Sequence, residues 1–299
     1  MNIPPIHIKT DLTNQDEKTT IQEATKEELQ LLIATMERKL ASGEFFTSHE
    51  NYASIDLGKM PLLIEAANNK HVGLNLNFVS NPIDLPSEIG RAISNGKEQF
   101  RYVVNMGESG IHFAAIDCKM VDGKLSLLLM EPANLNSMGP AILAMRVSSC
   151  LKREAEIIPK PHFCIAVMDI QRSNSECGIF SVGLAKKMFS ERAPLDALHE
   201  EILSERLPDG MKCDVLEGEA LDRLLPPTFY KHAQSQRRLD QYIRAHPDGN
   251  DTPVNKKGEL LLDRANRLMV PVDEKLISSS IHQKRIMEYS AISDDGKSV

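Results

Sequence analysis

The chain has 299 residues, 41% hydrophobic and 26% charged, enough for one large folded unit or two small ones. Its net charge of −7, with no Trp and 5% aromatic residues, argues against a nucleic-acid binder. Five irregularly spaced cysteines with no C-x-x-C fit free thiols in a reducing compartment, and no apolar run approaches the roughly 18 residues of a membrane span.

Residues 1–24 are polar, lack a sustained period and read as a disordered segment. A capping box, Thr25 with Glu28, then predicts a helix whose apolar stripe is Leu29, Leu32, Ile33, Met36 and Leu40, ending at Gly43. A second helix is expected over 58–70, a strand over 74–79, and a helix that stops at Gly96. "QFRYVVNM", "IHFAAID" and "LSLLLME" read as strands, the last two joined by a hairpin at Asp122-Gly123. "GPAILAMRVSSCLKREAE" reads as helix, "HFCIAVMDI" as a buried strand and "CGIFSVGLAKKMFSE" as a helix with Ile179, Phe180, Leu184 and Met188 on one face. This order predicts an α+β fold with a central, mostly antiparallel sheet and helical regions at both ends.

Charge is uneven. Residues 226–299 hold 12 Lys+Arg against 10 Asp+Glu, so the remainder carries −9. The clusters "FYKHAQSQRR", "VNKK" and "HQKR" suit a polyanion, although each alone also reads as a solvated face.

The chemistry centres on "DIQRSNSECGIF". A thiol attacks as thiolate, and a helix N-terminus favours that charge. Ser173, Asn174 and Ser175 are candidate N-caps ahead of Cys177, and Gly178 leaves space beside the sulfur. The local context leaves a structural and a reactive cysteine equally open; Cys150 and Cys164, in apolar surroundings, read as structural. A nucleophilic Cys needs a base and an orienting acceptor. His112 and Glu131 lie on the two arms of the hairpin. With a two-residue loop His112 faces Ala133 and Glu131 is its diagonal neighbour; with a four-residue loop they face directly, so both registers share one face. Gln171 could donate to an oxyanion beside the Cys177 N–H. His7 lies in the N-terminal tail, His199 in a charged stretch after the Cys177 helix, and nothing pairs His162 with an acid; no His/Cys/Asp/Glu cluster has metal-ligand spacing.

The order His, Glu, Gln, Cys resembles the clan of cysteine proteases that includes the adenovirus and SUMO-specific enzymes. The segments "NMGESGIHFAAID", "LMEPANLNSMGPAIL", "DIQRSNSECGIFSVGLAKK", "LPPTFYKHAQSQRRLDQY", "VNKKGE" and "SIHQKRIMEY" resemble more specifically the YopJ family of type III secreted effectors, in its animal-pathogen branch, from about residue 25 to 292. Near members carry Ser where this chain has Asn174. The resemblance implies an acetyltransferase: acetyl-CoA acylates Cys177, with His112 as base, Glu131 orienting it and Gln171 in the oxyanion hole. The acyl group passes to Ser, Thr or Lys of host kinases, such as MAP kinase kinases and IκB kinase. It implies activation by inositol hexakisphosphate, for which Lys231, Arg237, Arg238, Lys256, Lys257, Lys284 and Arg285 are candidates as a group, and Lys231 as the self-acetylated lysine. It further implies a secretion segment (1–24), a catalytic domain with N-terminal helices (25–225) and a basic regulatory region (226–299) packed on those helices, acting in the host cytoplasm. Two other readings are open: a protease of ubiquitin-like conjugates, which would use the same residues, and a non-catalytic kinase binder, which would not need them.

Overall fold

The computed structural model describes residues 13–44, 51–108, 110–153, 158–204, 215–272 and 275–295. His7 and Cys213 lie outside them. The elements run in the order α1 (Thr13–Ser42), α2 (Tyr52–Lys70), β1 (Leu76–Val79), α3 (Leu85–Ser94), β2 (Gln99–Asn105), β3 (Phe113–Val121), β4 (Lys124–Glu131), α4 (Met138–Arg153), β5 (His162–Val167), α5 (Cys177–Ser190), α6 (Arg192–Ser204), β6 (Val215–Glu217), α7 (Gly218–Asp222), α8 (Gln236–Ala245), α9 (Leu261–Leu268), β7 (Met269–Val272), β8 (Lys275–Ser278) and α10 (Ser280–Asp295).

The α+β class is as expected, but the sheet is not mostly antiparallel. Its order is β1-β2-β3-β4-β5-β6, and only the pairings of β3 with β2 and β4 are antiparallel. Five strands point one way and β3 alone runs against them. The reason lies in the connections. The β3–β4 turn closes in two residues, whereas each parallel pair needs a crossover, supplied by α3, α4 and the α5–α6 pair. Asp122 (φ 50°) and Gly123 (φ 76°) both take the left-handed conformation that such a tight hairpin requires.

The sheet separates two apolar cores. One holds Phe100, Val104, Ile116, Leu127 and Leu129 against α3 and α4, with Leu143 and Val147 from α4. The other holds Val103, Ala115, Leu128 and Ala166 against α5, with α2, α8 and α10 packed outside it. Helix α5 therefore shows more than the one apolar face expected. Cys177 to Val182, Leu184, Ala185 and Met188 are all buried, because the sheet lies on one side and helices from both ends of the chain on the other.

Two expected boundaries differ. The backbone is helical from Thr13, so Thr25–Glu28 is internal to α1 rather than its cap, and residues 13–24 read as disordered are helical. Nor does the core break at 225/226: Phe229, Tyr230, Leu239 and Tyr242 share a cluster with α5 and the sheet. Helix α10 packs on α1 and α2, joining the two ends of the chain. No helix among the described residues is long and apolar enough to cross a membrane.

Candidate active site and the lysine cleft beside it

The hairpin places the first two site residues. Val121 pairs with Lys124, which is the two-residue register, so Ala114 lies opposite Glu131 and His112 is its diagonal neighbour. His112 sits at the start of β3 and Glu131 at the end of β4, at one end of the sheet. The His112 Nε2 lies 3.0 and 2.9 Å from the two Glu131 oxygens. The Ala133 N–H donates to Glu131 Oε1 at 2.9 Å, which fixes the carboxylate. The imidazole packs against Gly139 of α4, where an added Cβ would lie 3.4 Å from the His112 Cβ. That glycine closes the ring's third side and was not recognised from sequence, since its only signal was its place in "NSMGPAIL".

Cys177 comes to the same end as the first residue of α5. Burial opposes charge on His112, but hydrogen bonds to Cys177 and Glu131 outweigh it and push the imidazole up to about 10. With Nε2 held by Glu131, Nδ1 is left for the thiol. Cys177 is 1% exposed and Glu131 fully buried, so the centre is closed to solvent here.

The expected caps are corrected. Glu176 occupies the N-cap position, and no side chain caps it; Ser175 Oγ donates to the Glu176 carboxylate at 2.9 Å, and Asn174 is exposed. The first backbone N–H groups of α5 are therefore not consumed by a side-chain cap. Gln171 is buried in the preceding loop. Its backbone N–H and that of Ile170 donate to the carbonyl of Pro132, next to Glu131, which ties this loop to the acid. Its amide Nε2 donates to the Ser173 carbonyl at 2.6 Å, leaving the second amide hydrogen for another acceptor. Gln234 holds the loop from outside, its Oε1 accepting from the Arg172 and Ser173 N–H groups at 2.6 and 3.2 Å. Nothing in the sequence marked Gln234 beyond its place in a basic segment.

The basic candidates divide sharply. Lys231 and Lys284 line a cleft whose empty space, open mouth included, is ≈ 430 Å³. Lys186 and Lys187 from α5 join them, with His232, and Arg264 acts on the same charges. Burial first, then Lys187, Lys284 and Arg264, push Lys231 down to about 8. The same causes, with Lys231 itself, hold His232 neutral. Glu288 ion-pairs with both Lys186 and Lys284; burial opposes its charge, yet the two lysines hold it at about 2. The cluster gathers five cations, Lys186, Lys187, Lys231, Lys284 and Arg264, against three carboxylates, Glu288, Glu191 and Glu259.

The other five candidates are not in this cleft. Arg238 is buried on Asp222 at 2.6 and 2.8 Å, and Arg285 on Asp56 at 3.0 Å. Arg237, Lys256 and Lys257 are exposed and do not line it. Lys186, Lys187 and Arg264 were missed from sequence. The signal was present: the Lys186-Lys187 pair lies on the nucleophile's own helix, about 14 Å along it at 1.5 Å per residue.

Comparison with known proteins bears on this arrangement. Residues 29–291 match the family described as YopJ Serine/Threonine acetyltransferase. The serine/threonine-protein acetyltransferase YopJ of Yersinia pestis is 46% identical over 276 residues, covering 92% of this chain and 94% of that protein. A structure of an AvrA deletion variant with IP6 and CoA superposes with a TM-score of 0.81 at 40% identity, covering 89% of this chain and 98% of that one. HopZ1a in complex with IP6 and CoA has the same fold, with a TM-score of 0.68 at 19% identity over 83% and 88% of the two chains.

Proposed function

This chain belongs to the YopJ serine/threonine acetyltransferase family, and on that premise we propose that Cys177, His112, Glu131 and Gln171 are its catalytic residues and the lysine cleft its activator site. The enzyme is a serine/threonine protein acetyltransferase. The observation that carries the assignment is the buried His112–Glu131 pair, at 3.0 and 2.9 Å, at the end of the sheet where Cys177 opens α5.

The reaction follows from the geometry. Cys177, as thiolate, attacks the acetyl carbonyl of acetyl-CoA. The carbonyl oxygen becomes an oxyanion, which the Cys177 N–H and the free Gln171 amide hydrogen receive. Collapse expels the CoA thiolate, which takes the proton held by His112, and leaves an acetyl thioester on Cys177. A Ser or Thr hydroxyl of the protein substrate then attacks. His112, now neutral, takes its proton; collapse breaks the bond from the acetyl carbon to the Cys177 sulfur, leaves the acetyl ester on Ser or Thr and restores the thiolate beside the imidazolium, which Glu131 stabilises whenever it forms. The same array could attack an amide; family membership selects acyl transfer.

The two structural relatives were solved with IP6 and CoA. Inositol hexakisphosphate suits the cleft in this chain, where Lys186, Lys187, Lys231, Lys284 and Arg264 supply cations that Glu288 only partly balances. At about 8, part of the Lys231 population is neutral near physiological pH, which suits it for self-acetylation. The substrates are host signalling kinases, MAP kinase kinases and IκB kinase, reached in the host cytoplasm after type III secretion. The N-terminal segment serves secretion, and the catalytic part and the basic C-terminal regulatory part share one core, with no break at 225/226.

The test is transfer of labelled acetyl from acetyl-CoA to a MAP kinase kinase, with and without inositol hexakisphosphate. Wild type should label Ser or Thr only with the activator and carry one acetyl on Cys177 in intact mass; Cys177→Ala should do neither. Equal labelling by Cys177→Ala would overturn the mechanism.

A further inference from the structure

Helix α5 connects the lysine cleft to the nucleophile, but a second connection runs through α10. Lys284 and Glu288, four residues apart, share one face of α10 and meet the cleft lysine Lys186 of α5 through Glu288. Arg285 and Tyr289, one residue further on, turn into the core. There the Arg285 Nε and Nη2 donate to the two Asp56 oxygens at 3.3 and 3.0 Å, and Tyr289 Oη donates to Asp56 Oδ1 at 2.8 Å. The guanidinium carbon lies 4.8 Å over the Tyr52 ring.

The same Arg285 Nη2 donates to the Ser175 carbonyl at 2.8 Å, and Nη1 lies 3.7 Å from the Glu176 carboxylate. These are the two residues before Cys177. Asp56 reaches this place only because position 178 is Gly: a Cβ there would stand 2.8 Å from the Asp56 Oδ2 and 2.9 Å from its Cβ. Three separate pieces of chain thus meet where α5 starts: Tyr52 and Asp56 from α2, Arg285 and Tyr289 from α10, and the 175–178 stretch that holds the Ser175–Glu176 turn and Gly178.

Burying an ion pair is costly, and well-packed apolar side chains would join three helices at least as well. What apolar packing lacks is direction. A carbonyl pinned by a guanidinium fixes its whole peptide plane, here Ser175–Glu176, and so the Cα of Glu176 from which the peptide to Cys177 departs.

We infer that Arg285 is a positioning residue for Cys177, holding the Ser175–Glu176 turn against Asp56, and that α10 carries the occupancy of the lysine cleft to it. The second half rests on the activator reading above; the first half does not.

Full-length wild type, Arg285→Met, Arg285→Lys and Tyr289→Phe separate the two. Three quantities are read: inositol hexakisphosphate binding by calorimetry, acetyl transfer at saturating activator, and the rate of Cys177 alkylation by iodoacetamide, followed by peptide mass. Arg285→Met should bind the activator within threefold of wild type, yet lose at least tenfold in kcat with the KM for acetyl-CoA unchanged. Its alkylation rate should no longer respond to activator. Arg285→Lys should fall between Met and wild type, because the charge remains while the forked grip is lost. Tyr289→Phe, which removes one hydroxyl, should lose about two- to fivefold in kcat, and it carries the test if Arg285→Met fails to fold. Wild-type kcat and alkylation in all variants would overturn the inference. So would activity lost only in step with activator binding, which would make Arg285 a ligand. If wild type itself binds no inositol hexakisphosphate, the activator reading fails, and the basal alkylation rates still decide whether Arg285 holds the turn.

Discussion

His112 and His199 each bridge a buried carboxylate and a potential nucleophile. His112 joins Glu131, at 2.9 and 3.0 Å, to Cys177. His199, on α6, joins Asp117 at 3.1 Å to the Ser126 hydroxyl at 2.7 Å. The second array has a hydrogen bond at each link, and all three of its members are fully buried. Their surroundings separate them. Ser126 lies on β4 between β3 and β5, so its backbone groups face strands on both sides. Asp117 is ion-paired with Arg101 at 3.0 Å through its other oxygen, which steadies the carboxylate for packing. Cys177 opens a helix, and its N–H has no acceptor four residues back. Three side chains in a row are therefore not enough for acyl transfer; the array must also sit where backbone donors are left over for an oxyanion.

The largest effect should come from that leftover donor set. Gln171→Ala should lower kcat by about 10²-fold, the usual cost of one oxyanion donor, whereas Ser126→Ala should leave kcat per folded molecule within about twofold. A folded but inactive Ser126→Ala would erase the distinction between the arrays. Stability should show the reverse. Removing the Ser126 hydroxyl leaves His199 Nδ1 buried without its partner and should cost roughly 1–3 kcal/mol in urea unfolding. Cys177→Ser should change stability by no more than ~1 kcal/mol.

A smaller effect is in pH. Folding raises His112 from its ordinary 6.5 to about 10, so the coupling stabilises the fold fully below about 6.5 and is lost as pH rises towards 10. The stability gap between wild type and Glu131→Gln should be widest near pH 6 and narrow progressively by pH 10; a gap that widens instead would remove Glu131 as the partner. The smallest effect belongs to the cleft. Lys231 is held at about 8, and a bound polyanion would restore its proton. Activator binding at pH 8.5 should therefore take up protons, read as a dependence of calorimetric enthalpy on buffer ionisation heat. That dependence should be weak at pH 6.5, where Lys231 is already charged, and lost in Lys231→Met.

Much of the site was legible because it is local. Asp122-Gly123 is a turn signal with a mechanism, and strand parity carries Glu131 and His112 to one face from that turn alone. Cys177 at a helix start followed from polar residues giving way to an apolar run. The cap was misplaced because Ser175 spends its hydroxyl on Glu176 rather than on the helix. The basic candidates divide for a different reason. Arg238 and Arg285 look like their neighbours in a charge count, yet their partners, Asp222 and Asp56, lie 16 and 229 residues away. His199 was set aside because its acid and its serine lie 82 and 73 residues off on other elements.

The sequence by itself determined the helix and strand periods, the shared face of His112 and Glu131 and the chain order of the proposed catalytic residues, since each depends on spacing within one or two elements. Only the tertiary structure decided the parallel sense of the sheet, which lysines share a cleft and which arginines are buried in ion pairs. These depend on pairings across tens to hundreds of residues, where charge and burial are set by what the fold brings alongside rather than by what adjoins in the chain.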